Sequence, residues 1–471
     1  MLHVNGKIYE TLEKHSAVIC AVLLVLAFAL RLYAAGTAVI EDGVEGEKLN
    51  FIKSVSFKPG SLRLPMGDKI LENPLLSAYV LKLGVTIFGE SQLGARLFFV
   101  LFGTFSLFFI YNLVKRKLDG TTALLCLCLL TFSQLHIGIS RIAGEHALFF
   151  LFVTAAMDVF FKAVDTQKPK YIYILAILLG IGCLTYQWMV LLAPVFLIFL
   201  IIQKEHRFWF KRKELYLAGL LAFMLVTPFL IWSYADRFSK LSSENLFDLG
   251  FSLRSFYLYF GEIFAWLTER TGFFIWGHEN GGALARMGGK WHLWVDGSNE
   301  QPFIHWVLGV FIFIGYIHYA KQKNNRELIK FCLIMFTFVF LFTSVIAGAD
   351  TLFDDHWWAE MTLFPGVILC SYMLVELQKK TRFINFVTVG LVTYSLVHAV
   401  SFINLPEHQY AVPREYLQKW YLEKAELYLK DHKRDLAIDR CRWVLARAKN
   451  EGIIKSADII MSEAEQQRLS N

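Results

Sequence analysis

Four clusters of ionisable residues carry the side chains that could do chemistry in this sequence. The first, IEDGVEGEKL, places Glu41, Asp42, Glu45 and Glu47 directly after a long apolar run. Carboxylates held at such a boundary can accept and move protons, which makes this cluster the leading catalytic candidate; taken alone it also describes a solvated acidic loop. The second, SQLHIGISRIAGEHALFF, brings His136, Arg141, Glu145 and His146 to a junction between apolar runs. If 140–146 continues as a helix, Arg141 and Glu145 stand at i, i+4 and can pair, or they merely close a hairpin. The third, WGHENGGALARMGGKWHLWVDG, holds His278, Glu279, Arg286, Lys290, His292 and Asp296 among six glycines and three tryptophans. Glycine allows close backbone approach and tryptophan suits a bilayer interface or a sugar face, so this loop could close over a polar headgroup. His278 and His292 lie 14 positions apart without HExxH spacing, which gives little support to a zinc site. The fourth, FDDHWWAE, offers Asp354, Asp355, His356 and Glu360, although an aromatic belt at a membrane surface explains Trp357 and Trp358 equally well.

The elements that must position these groups are membrane helices. The 471 residues are 56% hydrophobic, 16% aromatic and only 18% charged, against roughly 25% charged in soluble domains. Such a chain has too little polar surface for a soluble globule of its size and is not disordered. Apolar runs fall near 16–37, 96–114, 121–139, 146–161, 171–187, 189–203, 214–234, 303–320, 331–348, 361–378 and 383–402, about eleven transmembrane helices. The first run lacks a small-residue cleavage site and reads as an uncleaved span. With its amino end in the cytoplasm, Lys115-Arg116-Lys117, Lys204 to Lys213, Lys321 to Lys330 and Lys379 to Arg382 all fall inside, as the positive-inside rule requires. The net charge of +7 is thus orientation and not a nucleic-acid surface. The fold class is an all-α polytopic membrane protein. Residues 1–402 form the transmembrane domain, with outer loops 38–95 and 235–302, and 403–471 form a soluble, extracytoplasmic helical tail.

Pro74 to Gly89 is too short to span comfortably and reads as an outward-facing interfacial helix between a proline start and a glycine stop. In the tail, KAELYLKDHKRDLAIDRCRWVLARAKNEG has helical spacing, with Tyr428, Leu436, Ala437, Cys441, Val444 and Leu445 on packed faces of a hairpin that ends at Gly452. It resembles a single tetratricopeptide-like unit, one copy of which builds no solenoid. Six of the seven cysteines lie in apolar runs, so no disulfide framework or CxxC metal site is expected. GxxxxGK[ST], GxGxxG and GxSxG are absent from suitable contexts, which leaves nucleotide hydrolysis and Rossmann cofactors unsupported. Chemistry on the outer side has no nucleoside triphosphate to draw on. It needs a donor already activated and already carried across, and a sugar on a polyprenyl phosphate meets both conditions.

The order of segments resembles the C-type membrane glycosyltransferases, specifically the protein O-mannosyltransferase and lipid A aminoarabinose transferase group. The similarity rests on EDGVEG, NPLLSAYVLKLGVTIFG, GESQLGARLFFVLFG with Gly89 and Arg96, SQLHIGISRIAGEHALFF with Arg141 and Glu145, and KPKYIYILAILLGIGCLTYQ. It is strong over about a third of the chain and extends to the WGHEN loop and FPGVIL only in layout.

The resemblance implies a multi-span glycosyltransferase that takes its sugar from a polyprenyl phosphate. The family's essential carboxylate falls on Asp42, with Glu45 a competing alignment because a contiguous Asp-Glu pair is lacking here. The junction acid is Glu145, preceded by Arg141, and the interfacial-helix site falls near Lys69, Asn73 and Pro74. Where bacterial members often carry an arginine in span ten, this chain has Glu360 or its neighbour. For inverting transfer, Asp42 or Glu45 is the expected base and Glu145 orients it or the acceptor, while Arg141 with Lys69, Arg286 or Lys290 neutralises the phosphate. Arg96 and His278 complete the expected substrate contacts. No resident cofactor is implied, and a divalent metal at the phosphate is compatible with this chemistry. The expected partners are a polyprenyl-phosphate sugar, an acceptor protein, lipid or glycan, and membrane lipids, with no nucleic acid. The expected place is the bacterial inner membrane, with the site facing the periplasm. A lipid-linked sugar transporter or flippase, or a non-catalytic assembly protein, are the alternatives. Transporters usually show internal repeats and broken midplane helices; here no repeat of 3+3 or 6+6 spans is visible and the midplane is nearly free of charge.

Overall fold

The structure is a computed structural model. It describes residues 10–33, 35–36, 52, 76–241, 326–346, 357–381, 383–404, several positions within 422–430, and 434–445 and 451–469. The described residues are mostly helical and include no strand. They fall into two compact units that divide between Asn404 and Leu405.

The first unit starts with α1 (Ser16–Leu32) and α2 (Leu76–Phe88). α2 stops at Gly89, whose φ of +88° is open to glycine at no steric cost. The Ser91 hydroxyl then accepts from the Gly94 amide at 3.0 Å and starts α3 (Gln92–Lys117). The expected step from Gly89 to Arg96 is therefore a helix stop followed directly by a capped start. α3 ends on Lys115-Arg116-Lys117, cations that suit the negative end of its dipole.

Asp119 caps α4 (Gly120–Thr131) by accepting from the Thr122 amide at 2.7 Å. The apolar run 121–139 is not one helix, as hydropathy alone implies. It breaks at Phe132 and Ser133, and Ser133 caps the short α5 (Gln134–Ser140). Gly103 on α3 sits against α5 so closely that a Cβ there would overlap the Ser140 side chain. Small residues that admit such backbone approach are the usual means of packing helices in lipid. α6 (Glu145–Thr166) runs back, and Gln167 closes it in a left-handed conformation at φ 54°. Pro169 opens α7 (Pro169–Cys183) at a position where its missing N–H costs nothing.

A 3₁₀ turn, Gln187–Leu191, leads into α8 (Leu192–Ile202), a second 3₁₀ segment, Lys204–Lys211, and α9 (Lys213–Leu241). α10 (Glu327–Ile346), α11 (Trp357–Gln378) and α12 (Phe383–Asn404) complete the unit. Its core joins α6, α8 and α10 through phenylalanines: Phe160 stacks on Phe196 at 4.4 Å, and Phe161 meets Phe331 edge-on at 5.3 Å. Each such pair adds about 0.5–1.5 kcal/mol beyond burial. Among the described residues, Gln92–Lys117 and Glu145–Thr166 are long and apolar enough to cross a membrane, and the bent pair Trp188–Ile202 with Lys204–Lys211 makes a third if taken as one span. These helices build an integral membrane protein; the apolar run 303–320 lies outside the described residues.

An ionic network ties the basic ends together. Lys117 Nζ donates to Asp165 and Glu327 at 2.6 Å each, Arg116 pairs with Asp158 at 2.7 Å, and His206 Nε2 lies 2.7 Å from Glu327. Glu327 lies just ahead of the apolar run of α10. The hydrogen bond to His206, followed by that to Lys117, pulls its pKa down to about 2 against the cost of burial. A depressed folded-state pKa gives stability that is complete above the unfolded value, about 4.3, and lost as pH falls toward 2. Glu327→Gln is therefore expected to lower the unfolding temperature at neutral pH. The gap to wild type should close between pH 4.5 and 2 when thermal unfolding in detergent is followed across pH. A gap that persists unchanged at pH 2 would contradict this.

The second unit packs α13 (Arg434–Leu445) on α14 (Glu451–Leu469), with Ala437, Cys441 and Val444 facing Ile453, Ala457, Ile460 and Ala464. The expected end at Gly452 is wrong, since Gly452 lies in the first turn of α14. A glycine is cheap there, because first-turn amides have no partner within the helix. Ala437, Cys441 and Val444 are buried as expected, and burial pushes the Cys441 thiol up to about 11. All seven cysteines are free.

Candidate functional site

The junction between α4 and α6 is the best-defined polar region inside the first unit. It is organised by Arg31, in the last turn of α1 and fully buried. Its guanidinium donates to the Ala27 carbonyl at 2.9 Å, Leu130 at 3.1 Å and Thr131 at 3.4 Å. The last two are carbonyls at the end of α4, where a cation meets the negative end of the helix dipole. Arg31 NH2 also lies 2.9 Å from His136 Nδ1. A guanidinium only donates, so Nδ1 accepts and the ring proton resides on Nε2, which lies 3.0 Å from Ser106 Oγ. Ser106 in turn donates to the Gly103 carbonyl at 2.7 Å. Ser140 Oγ donates to the His136 carbonyl at 2.5 Å, and the ring packs at 4.8 Å from Phe150. One polar chain thus fixes α1, α3, α4 and α5 against each other.

The groups singled out in the sequence follow on this scaffold. Arg141 is the C-cap of α5, and Glu145 is the first residue of α6; both are buried. The helical continuation through 140–146 that would set them at i, i+4 does not occur, because α5 ends at Ser140 and Gly144 caps a new helix. Glu145 instead sits at a helix N-terminus, where exposed amides and the dipole favour an anion. His146 Nε2 lies 3.9 Å from Glu145 Oε1, and its ring meets Tyr186 edge-on at 5.2 Å. The Leu76 amide donates to the Leu184 carbonyl at 3.1 Å, which fastens the head of α2 to the end of α7. Ala78, Leu81, Ala95, Phe99, Ala143 and Ala147 form a common apolar floor with Ile52.

Arg96 is buried and donates to the Ala35 carbonyl at 2.9 Å. That bond anchors the chain leaving α1, shortly before Asp42. Three of the expected site residues, Arg96, Arg141 and Glu145, are therefore held around one end of the helix bundle. Asp42, Glu45, Lys69, Asn73, His278, Arg286 and Lys290 lie outside the described residues, as do Glu41 and Glu47. Sequence reasoning missed Arg31, Ser106 and Tyr186. An arginine inside an apolar run is a costly residue and was the available signal for Arg31.

Among the described residues, ligand atoms close enough for a metal occur in Glu205, His206 and Glu327, at the Lys117 end of α3 and away from this junction. Both Glu327 oxygens are already engaged, one by His206 and one by Lys117. What the junction offers chemically is a buried carboxylate at a helix start with a buried guanidinium a few residues before it, a pairing suited to orienting a hydroxyl beside an anion.

Residues 72–232 match the family model described as dolichyl-phosphate-mannose-protein mannosyltransferase. An uncharacterized protein of Aquifex aeolicus (strain VF5) is 23% identical over 354 residues, covering 72% of this chain and 62% of that protein, so the chain spans less than two thirds of that relative. Among solved structures, ArnT from Cupriavidus metallidurans bound to undecaprenyl phosphate superposes with a TM-score of 0.52 at 13% identity, over 95% of this chain and 74% of that one. The Archaeoglobus fulgidus oligosaccharyltransferase tethered to an acceptor peptide gives 0.52 at 13% identity, over 90% of this chain and 59% of that one. At such identities the structural likeness is one of fold. In sequence over residues 72–232 and in fold over nearly its whole length, this chain resembles the C-type membrane glycosyltransferases.

Proposed function

We propose that the protein transfers a glycosyl group from a polyprenyl-phosphate-linked sugar to an acceptor hydroxyl at the outer, periplasmic face of the membrane, with inversion. The observation that carries this is the junction itself: Glu145 buried at the start of α6, with Arg141 buried at the end of α5, within a fold shared with a protein whose structure holds undecaprenyl phosphate. In the reaction the acceptor oxygen bonds to the anomeric carbon as the bond from that carbon to the phosphate oxygen breaks. The acceptor proton passes to Asp42 or Glu45, and the electron pair leaves with the polyprenyl phosphate. Arg141, with Lys69, Arg286 or Lys290, offsets the charge on that phosphate, and Glu145 orients the acceptor. Arg96 acts at one remove by tethering the chain at Ala35.

The direct test is a mass spectrum of the lipid that the purified protein retains. A polyprenyl phosphate, free or carrying a sugar, is expected. Retention of bulk phospholipid only would count against the donor class, and translocation of the sugar lipid in liposomes without bond cleavage would favour a transporter.

A further inference from the structure

The segment between α8 and α9 has a feature that glycosyl transfer does not use. The helical axis bends by 116° between Trp188–Ile202 and Lys204–Lys211. With α8 along the membrane normal, such a turn lays Lys204–Lys211 close to the membrane plane. The segment is a 3₁₀ helix, in which residues three apart share a face. The face starting at Gln203 continues through His206, Trp209 and Arg212, and it is the inner one. Gln203, His206 and Trp209 are buried, Gln203 accepts from Lys330 at 3.2 Å, and His206 bonds Glu327. Arg212 donates to the Gln167 carbonyl at 2.8 Å, with its guanidinium 4.9 Å from the ring centres of Phe208 and Trp209. The segment is thus rigidly stitched to α6, α9 and α10 and is not a loose basic loop.

Within Lys204–Lys211 the next face carries Lys204, Arg207 and Phe210, and the third carries Glu205, Phe208 and Lys211; Lys213 and Glu214 follow in the first turn of α9. All four of these cations are exposed, while Phe208 and Phe210, which alternate with them in sequence, are half-buried against the apolar core. Arg207 donates one bond to the Ile201 carbonyl at 2.7 Å, which fixes its direction and leaves its other donors available. Glu205 is the one acid within Lys204–Lys211, and Glu214 adjoins Lys213 in the first turn of α9. Aromatic rings set between cations on a segment in the membrane plane match the layered chemistry of a phospholipid, acyl chain below and phosphate above.

We infer that Lys204, Arg207, Lys211 and Lys213 form a binding surface for the phosphates of anionic phospholipids, with Phe208 and Phe210 lodged at the acyl boundary. The surface depends on the membrane placement of α8 alone, and it is independent of the transfer reaction.

The test uses the full-length protein in detergent, incubated with an equimolar mixture of phosphatidylglycerol and phosphatidylcholine, with retained lipids counted by native mass spectrometry. Wild type should retain phosphatidylglycerol preferentially and lose the preference in about 1 M NaCl, where screening is nearly complete. Each cation near a surface is worth about fivefold. Replacing all four by glutamine should therefore lower the phosphatidylglycerol to phosphatidylcholine ratio by roughly tenfold or more. Lys379→Gln with Lys380→Gln, at the end of α11, removes two cations, one of them already paired with Glu376 at 2.8 Å, and should lower the ratio by clearly less than the quadruple variant does. Glu205→Lys, at an exposed site, should raise the ratio severalfold and serves if the quadruple variant fails to fold. No preference in wild type, an equal fall in the α11 variant, or no gain in Glu205→Lys would each overturn the assignment.

Discussion

Replacing Arg31 by leucine is expected to destabilise the first unit by about 3 kcal/mol or more and to lower the proposed glycosyl transfer with it. The guanidinium is fully buried and donates to carbonyls of α1 and α4 and to His136. Leucine leaves the Thr131 carbonyl without its donor in a site that water does not reach, a loss of about 1–3 kcal/mol, and leaves His136 Nδ1 only the Ser140 hydroxyl, 3.1 Å away, which already serves the His136 carbonyl. The damage then spreads, because His136 holds Ser106 on α3 and its carbonyl holds Ser140, the residue beside Arg141. Lysine at position 31 should recover only part of the loss, since an ammonium cannot reproduce the planar fork that spans two helices. Unfolding temperature in detergent, measured for wild type, Arg31→Lys and Arg31→Leu, should fall in that order. An Arg31→Leu protein as stable as wild type would show that the polar chain from Arg31 to Gly103 does not hold the junction.

Much of this arrangement could be read from residue order. Gly89 stops a helix because only glycine takes φ +88° freely, Pro169 starts one, and Lys115-Arg116-Lys117 ends one, each for local steric or electrostatic reasons. The association of Arg141 with Glu145 was legible as a motif, but its geometry was not. A hydrophobic run carries no mark of the break at Phe132 and Ser133, where a serine cap and the close approach of Gly103 decide the outcome. Arg31 escaped notice because averaged hydropathy hides one charge among sixteen other residues of α1. Its partners, 99 to 105 positions away, exist only once the helices pack. In the tail, Ile453, Ala457, Ile460 and Ala464 follow helical spacing that a glycine stop at 452 obscured.

The second large effect concerns the acidic loop. Loss of a positioned base costs about 10²–10⁴ in rate. Asp42→Asn with Glu45→Gln together is expected to reduce transfer by at least that range, because both expected positions of the base are then neutral amides that cannot take the acceptor proton. Of the single variants, the one that carries the loss identifies the base. Arg96 and Glu145, which the fold fixes around the exit of α1 and the start of α6, should keep the protein folded in either variant. Binding of the polyprenyl phosphate should be nearly unchanged, since in the proposed reaction the cations, and not the base, hold that lipid.

One measurement decides the matter: release of polyprenyl phosphate from a polyprenyl-phosphate sugar by the purified chain in the presence of an acceptor hydroxyl, compared with the Asp42→Asn, Glu45→Gln double variant. Wild type should couple lipid release to a new glycosidic bond, and the double variant should retain the lipid but release none. Equal turnover in the two proteins, or no bond cleavage by wild type with any lipid-linked sugar, would contradict a transferase that works through these carboxylates.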